Sequence, residues 1–201
     1  MNHRCRNGAF IATLAVMATG LPAPASAHFD LSLAGGFMAG FRHPLSGLDH
    51  LLAMLAVGLW GAFLGRPLIY VLPVIFPTVM AFGGALGIAH VPMPPVEIGI
   101  AVSVLLLGAA IAFAFNPPIW AAGILVGIFA IFHGYAHGTE LPSIADPIAF
   151  SAGFVLVTGL LHIAGIAIGL LADRPGGVRV VRSIGALIGM CGIWYLYAAV
   201  A

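Results

Sequence analysis

The chain contains no lysine, and its acidic and basic residues together make up only 6% of the sequence. A soluble domain carries charge on about a quarter of its residues, so a water-facing globular surface cannot be assembled from these residues. A formal net charge of +1 with no basic patch argues against a nucleic-acid partner. Cysteine is also scarce. Cys5 and Cys191 form neither a disulfide framework nor a CxxC site, and Cys191, inside an apolar run, reads as a small packing residue. A P-loop is missing, which removes the usual nucleotide-driven machinery.

Apolar residues fill the space those absences leave. They account for 62% of the chain, with a mean hydropathy of +1.14. They recur in runs of about twenty, the length a helix needs to cross a hydrocarbon core of ~30 Å. The expected fold class is all-α: a polytopic membrane protein, a bundle of six transmembrane helices following a cleaved signal peptide. The leader is read over 1–27. Arg4 and Arg6 precede the apolar "AFIATLAVMATGL", and "PAPASA" ends in a small-residue cleavage pattern before His28. The remainder, 28–201, forms one transmembrane domain with spans expected near 45–64, 68–89, 96–115, 118–137, 147–172 and 178–200. Residues 29–42 are read as a short interfacial or partly inserted helix.

Arginine sets the orientation. With the mature start external, Arg66, Arg174, Arg179 and Arg182 fall on the cytoplasmic side and only Arg42 outside, as the positive-inside rule requires. Both mature termini are then expected on the periplasmic face of a bacterial-type inner membrane. The connections are short and leave no extramembrane domain, so any activity resides in the bilayer. Small-xxx-small pairs, such as Gly83/Gly87 and Gly165/Gly169, predict close helix packing. Pro73 and Pro77 should bend the second span and free backbone carbonyls.

The expensive polar side chains are not scattered. "HPLSGLDH" (residues 43–50) opens the first span, Glu97 opens the third, and "FHGYAHGTE" (residues 132–140) closes the fourth. On the alternating topology all of them reach the external end of the bundle. His133, His137 and Glu140 follow i, i+4, i+7 and form one stripe if the helix continues that far. His43 and His50 stand seven apart, with Asp49 beside His50. Any one of these histidines alone reads as a satisfied interfacial polar group; together with Asp49 and Glu97 they favour metal. Imidazole and carboxylate without thiolate suit a divalent first-row ion such as Ni²⁺, Co²⁺, Zn²⁺ or Fe²⁺. His162, deep in the fifth span, is either a relay for such an ion or a histidine bonded to a nearby carbonyl. His28, at the expected mature terminus, and His90, in an external loop, are weaker candidates.

The stretch "HPLSGLDHLLAMLAVGLWGA" resembles the first-span signature of the HupE/UreJ family. "EIGIAVSVLLLG" and "FHGYAHGTE" resemble its third- and fourth-span segments. The resemblance implies a nickel or cobalt permease that accompanies urease or hydrogenase maturation and needs no permanently bound cofactor, the metal being cargo. It implies that His43, Asp49, His50, Glu97, His133 and Glu140 serve transport, with His137 joined to them by the motif. Two rival expectations stand beside it: a membrane-embedded histidine-cluster oxygenase or desaturase, and a metal receptor that does not transport. The enzyme would be expected to carry an HxxHH element, which this sequence lacks.

Overall fold

The computed structural model describes residues 35–140 and 147–201, with the Glu140 side chain excepted. The expected leader, His28 and Asp146 lie outside that range. All regular structure among the described residues is helical. In chain order the elements are α1 (Gly35–Ser46), α2 (Leu48–Leu64), α3 (Leu68–Ile88), α4 (Val96–Ala112), α5 (Ile119–Glu140), α6 (Pro147–Gly169) and α7 (Gly177–Val200), with a 3₁₀ turn at Leu170–Asp173 after α6.

Four segments are long and apolar enough to cross a membrane: α3, α5, α6 with its 3₁₀ extension, and α7. The expectation of six full-length spans differs from this at two places. At the first, the short helix expected to end near 42 runs on as α1 to Ser46, the span expected from 45 opens as α2 at Leu48, and the two meet at a bend of 84°. Pro44 sits inside α1 rather than in the first turn of the next span. It supplies no N–H to the helix, and Gly47 follows in extended backbone with φ −101° and ψ 112°. The second place is α4, whose 17 residues span about 26 Å at 1.5 Å per residue.

The bundle is organised around α2, whose residues from Ala53 to Ala62 are all buried except Leu55. A helix that is apolar all round belongs in an interior, and Met54, Val57, Leu59 and Trp60 form the centre of the core. The closest helix pairings are α3 with α5, α4 with α7, and α6 with both α1 and α2. Glycine permits this closeness in each of them. A methyl group on Gly134 of α5 would collide with the Met80 carbonyl of α3, and one on Gly58 of α2 with the His162 carbonyl of α6. Backbone cannot swing aside as a side chain can. Gly134→Ala is therefore expected to cost about 1–3 kcal/mol or more, seen as a lower unfolding midpoint in detergent. An unchanged midpoint would contradict the close α3–α5 contact.

Candidate metal-binding site

The bend between α1 and α2 does what a straight helix could not. It brings His43, at the end of α1, and His50, in the first turn of α2, to His137 from two directions. His43 Nε2 lies 3.0 Å from His137 Nδ1. The His50 ring centroid is 4.7 Å from that of His137 and 5.1 Å from that of His133. The seven-residue spacing therefore matters less than the break at Gly47 inside it. On the other side α5 continues through Glu140, so His133 and His137 share a face one turn apart. The α3–α5 backbone contact at Gly134 and Gly138 presses that face into the bundle.

Hydrogen bonding fixes the ring tautomers. His50 Nδ1 is 2.9 Å from Asp49 Oδ1, and the same oxygen accepts the His50 backbone N–H at 2.8 Å. An ionised carboxylate only accepts, so His50 donates from Nδ1 and its Nε2 is a bare lone pair. His133 Nδ1 is 2.9 Å from the Phe129 carbonyl. A carbonyl likewise only accepts, which leaves His133 Nε2 bare as well. Burial completes the arrangement. His133 is fully buried, His137 nearly so, and the Nε2 atoms of His50, His133 and His137 are buried with no hydrogen-bond partner. Each such group costs about 1–3 kcal/mol if nothing ever satisfies it, and here three meet in one place.

The surroundings are apolar. Phe76 packs against His133 at 5.4 Å between centroids, Phe154 against His137 at 4.4 Å, and Phe150 against His43 at 5.6 Å. A cleft between α3 and α6, floored by Gly134 and Gly138, opens onto His137. A polar donor set inside an aromatic wall raises the cost of leaving lone pairs empty and strengthens any ionic contact formed there.

Five of the seven residues singled out in the sequence thus meet: His43, Asp49, His50, His133 and His137. Glu97 stands exposed in the first turn of α4, outside the buried ring cluster, and the Glu140 side chain lies outside the described residues. The rings pack edge against face. Among the described residues, no three His, Cys, Asp or Glu side chains are grouped so as to hold one ion in this conformation. Sequence reasoning missed Phe76, whose ring packs against His133. The signal for Phe76 was its position between Pro73 and Pro77.

The family model described as "HupE / UreJ protein" matches residues 14–195. The chain belongs to the HupE/UreJ family. Protein HupE of Rhizobium leguminosarum bv. viciae is 44% identical over 180 residues, covering 90% of this chain and 93% of that protein. No solved structure matches the chain. The family match spans α1 to α7 almost entirely, so the histidine cluster lies wholly within it.

Proposed function

We propose that this chain is a membrane permease for a divalent first-row metal ion, nickel in the first place and cobalt as the alternative cargo. The observation that carries the proposal is the pair of bare, buried Nε2 atoms on His50 and His133, each held in its tautomer by a bond at Nδ1. A carboxylate or carbonyl behind an imidazole is the usual second partner of a metal-binding histidine. The ion would bind at the outer end of the bundle. A turn of the His50, His133 and His137 rings would bring their Nε2 atoms to metal–nitrogen distance, about 2.0–2.1 Å for a first-row ion of this size. His43 holds His137 from behind, and Glu97 and Glu140 attract the hydrated ion on approach.

On this reading α2 and α4 also cross the membrane, shielded within the bundle, giving six spans. The leader at 1–27 is removed, and the arginine distribution places both mature termini outside an inner membrane. An inside-negative potential then favours uptake by roughly 4.6 kcal/mol per 100 mV for a doubly charged ion. The ion so delivered would supply urease or hydrogenase assembly. We infer that the chain is not an enzyme, since its cluster faces away from cytosolic electron donors.

Two predictions follow the cargo. Coordination needs unprotonated imidazole, so transport should fall as external pH is lowered into the acid range, measured as initial rate against pH at fixed membrane potential. A rate rising over that range would contradict imidazole ligation. Selectivity is tested by flux into liposomes of purified protein supplied with Ni²⁺, Co²⁺, Zn²⁺ and Cu²⁺ side by side. Nickel or cobalt flux above protein-free liposomes is expected; none for any of the four would refute a permease.

A further inference from the structure

His162 lies in the middle of α6, only 2% exposed, and neither of its ring nitrogens has a hydrogen-bond partner. A neutral imidazole must carry a proton on one nitrogen and a lone pair on the other, so both are left unsatisfied among apolar neighbours. Its surroundings are not inert. The Pro73 carbonyl of α3 lies beside the ring. That carbonyl lacks its helical donor because residue 77 is proline. One turn before His162 on α6, the Thr158 hydroxyl donates to Met54 Sδ at 3.5 Å, and both residues are fully buried. The Phe76 ring connects this group to the outer cluster, 5.5 Å from His162 on one side and 5.4 Å from His133 on the other.

We propose that His162, with the Pro73 carbonyl and the Thr158 hydroxyl, forms a second, inner station for the transported cation, separated from the outer histidines by the Phe76 ring. The inference rests on the permease reading and adds a place where the ion pauses inside the bundle. It also gives the two prolines of α3 a task. Pro77 leaves the Pro73 oxygen available to the ion, and the helix around Phe76 is loosened where the aromatic ring has to move. An imidazole, a carbonyl and a hydroxyl suit a partly dehydrated divalent ion that must be released again, because the set carries no fixed charge.

The test uses the full chain in liposomes loaded with a fluorescent chelator, with Ni²⁺ outside, together with Co²⁺ absorption on the purified protein to follow outer-cluster binding. His162→Leu should leave Co²⁺ affinity at the outer cluster within about twofold, as expected for separate sites. It should lower the initial flux by at least about tenfold, the scale of losing a group that supports an ion. Its unfolding midpoint should stay level or rise, since two unsatisfied nitrogens are removed from an apolar setting. His162→Cys, which offers a metal-ligating sulfur, should recover part of the flux. Wild-type flux in His162→Leu with outer binding intact would overturn the inner station, as would a cysteine variant no faster than leucine. If leucine prevents folding, Pro77→Ala decides. It leaves His162 in place and returns an N–H to the Pro73 carbonyl, so slower flux in a stable protein supports the station and unchanged flux overturns it. Wild-type protein that neither binds nor moves the ion defeats the permease reading itself, a result distinct from all of these.

Discussion

His50→Ala and His133→Ala should each lower the affinity of the purified protein for Ni²⁺ or Co²⁺ by more than about 100-fold, with a parallel loss of uptake. The size of the effect follows from the two layers of the site. Loss of a partner behind a ligand typically costs about 10–100-fold in affinity, so loss of the ligand itself should cost more. Neither substitution should unfold the protein. Each takes away a buried nitrogen that has no partner without metal, so part of the cavity cost is offset. The stability readout separates the two possibilities. A site needed for metal loses binding while the metal-free unfolding midpoint stays near wild type. A merely structural histidine would lose midpoint first, and metal would make no difference to either variant.

The second large effect is expected at Asp49, which need not touch the ion. Its Oδ1 accepts both the His50 ring N–H and the His50 backbone N–H, and so aims the imidazole and makes its Nε2 more basic. Asp49→Asn keeps an acceptor but removes the charge, and should weaken binding by about tenfold. Asp49→Ala removes the acceptor, frees the tautomer and should approach about 100-fold. That order, wild type above Asn above Ala, is the signature of a positioning carboxylate. If Asp49 were a direct ligand, Asn and Ala would be nearly equal in defect. Gly47 bears on the same contact: a methyl group there would stand 2.9 Å from Asp49 Oδ1 and 3.1 Å from His50 Nδ1, so Gly47→Ala should disturb the same bond.

The sequence carried the helical class, the crowding by glycine and most of the histidine cluster, because each leaves a local mark. Apolar runs mark helices, the i, i+4 spacing of His133 and His137 marks a face, and Pro44 and Gly47 mark a place where regular helix is costly. It did not show that the short first helix runs on through Pro44 to Ser46, or that it meets α2 at a bend of 84° beside Gly47. Both residues are tolerated near a helix start, and the direction α1 takes goes with its packing against α6. It also did not show which nitrogen of each ring is free. That depends on the Phe129 carbonyl and the Asp49 oxygen, whose directions are set by tertiary structure. Glu97 was legible as an acid at the same end of the bundle, yet its helix presents it at the surface rather than among the rings. His162 was visible as a buried polar residue, while its approach to α3 arises from the contact of α2 and α6 at Gly58.

The central claim is that imidazole nitrogens from α2 and α5 share one divalent ion. Its most direct test is X-ray absorption of the purified protein loaded with one equivalent of Ni²⁺, with wild type and the His50→Ala/His133→Ala double variant measured together. Two or more imidazole nitrogens around nickel in the wild type, lost in the double variant, are the predicted result. An oxygen-only shell in the wild type, or the same imidazole signal in both proteins, would contradict it.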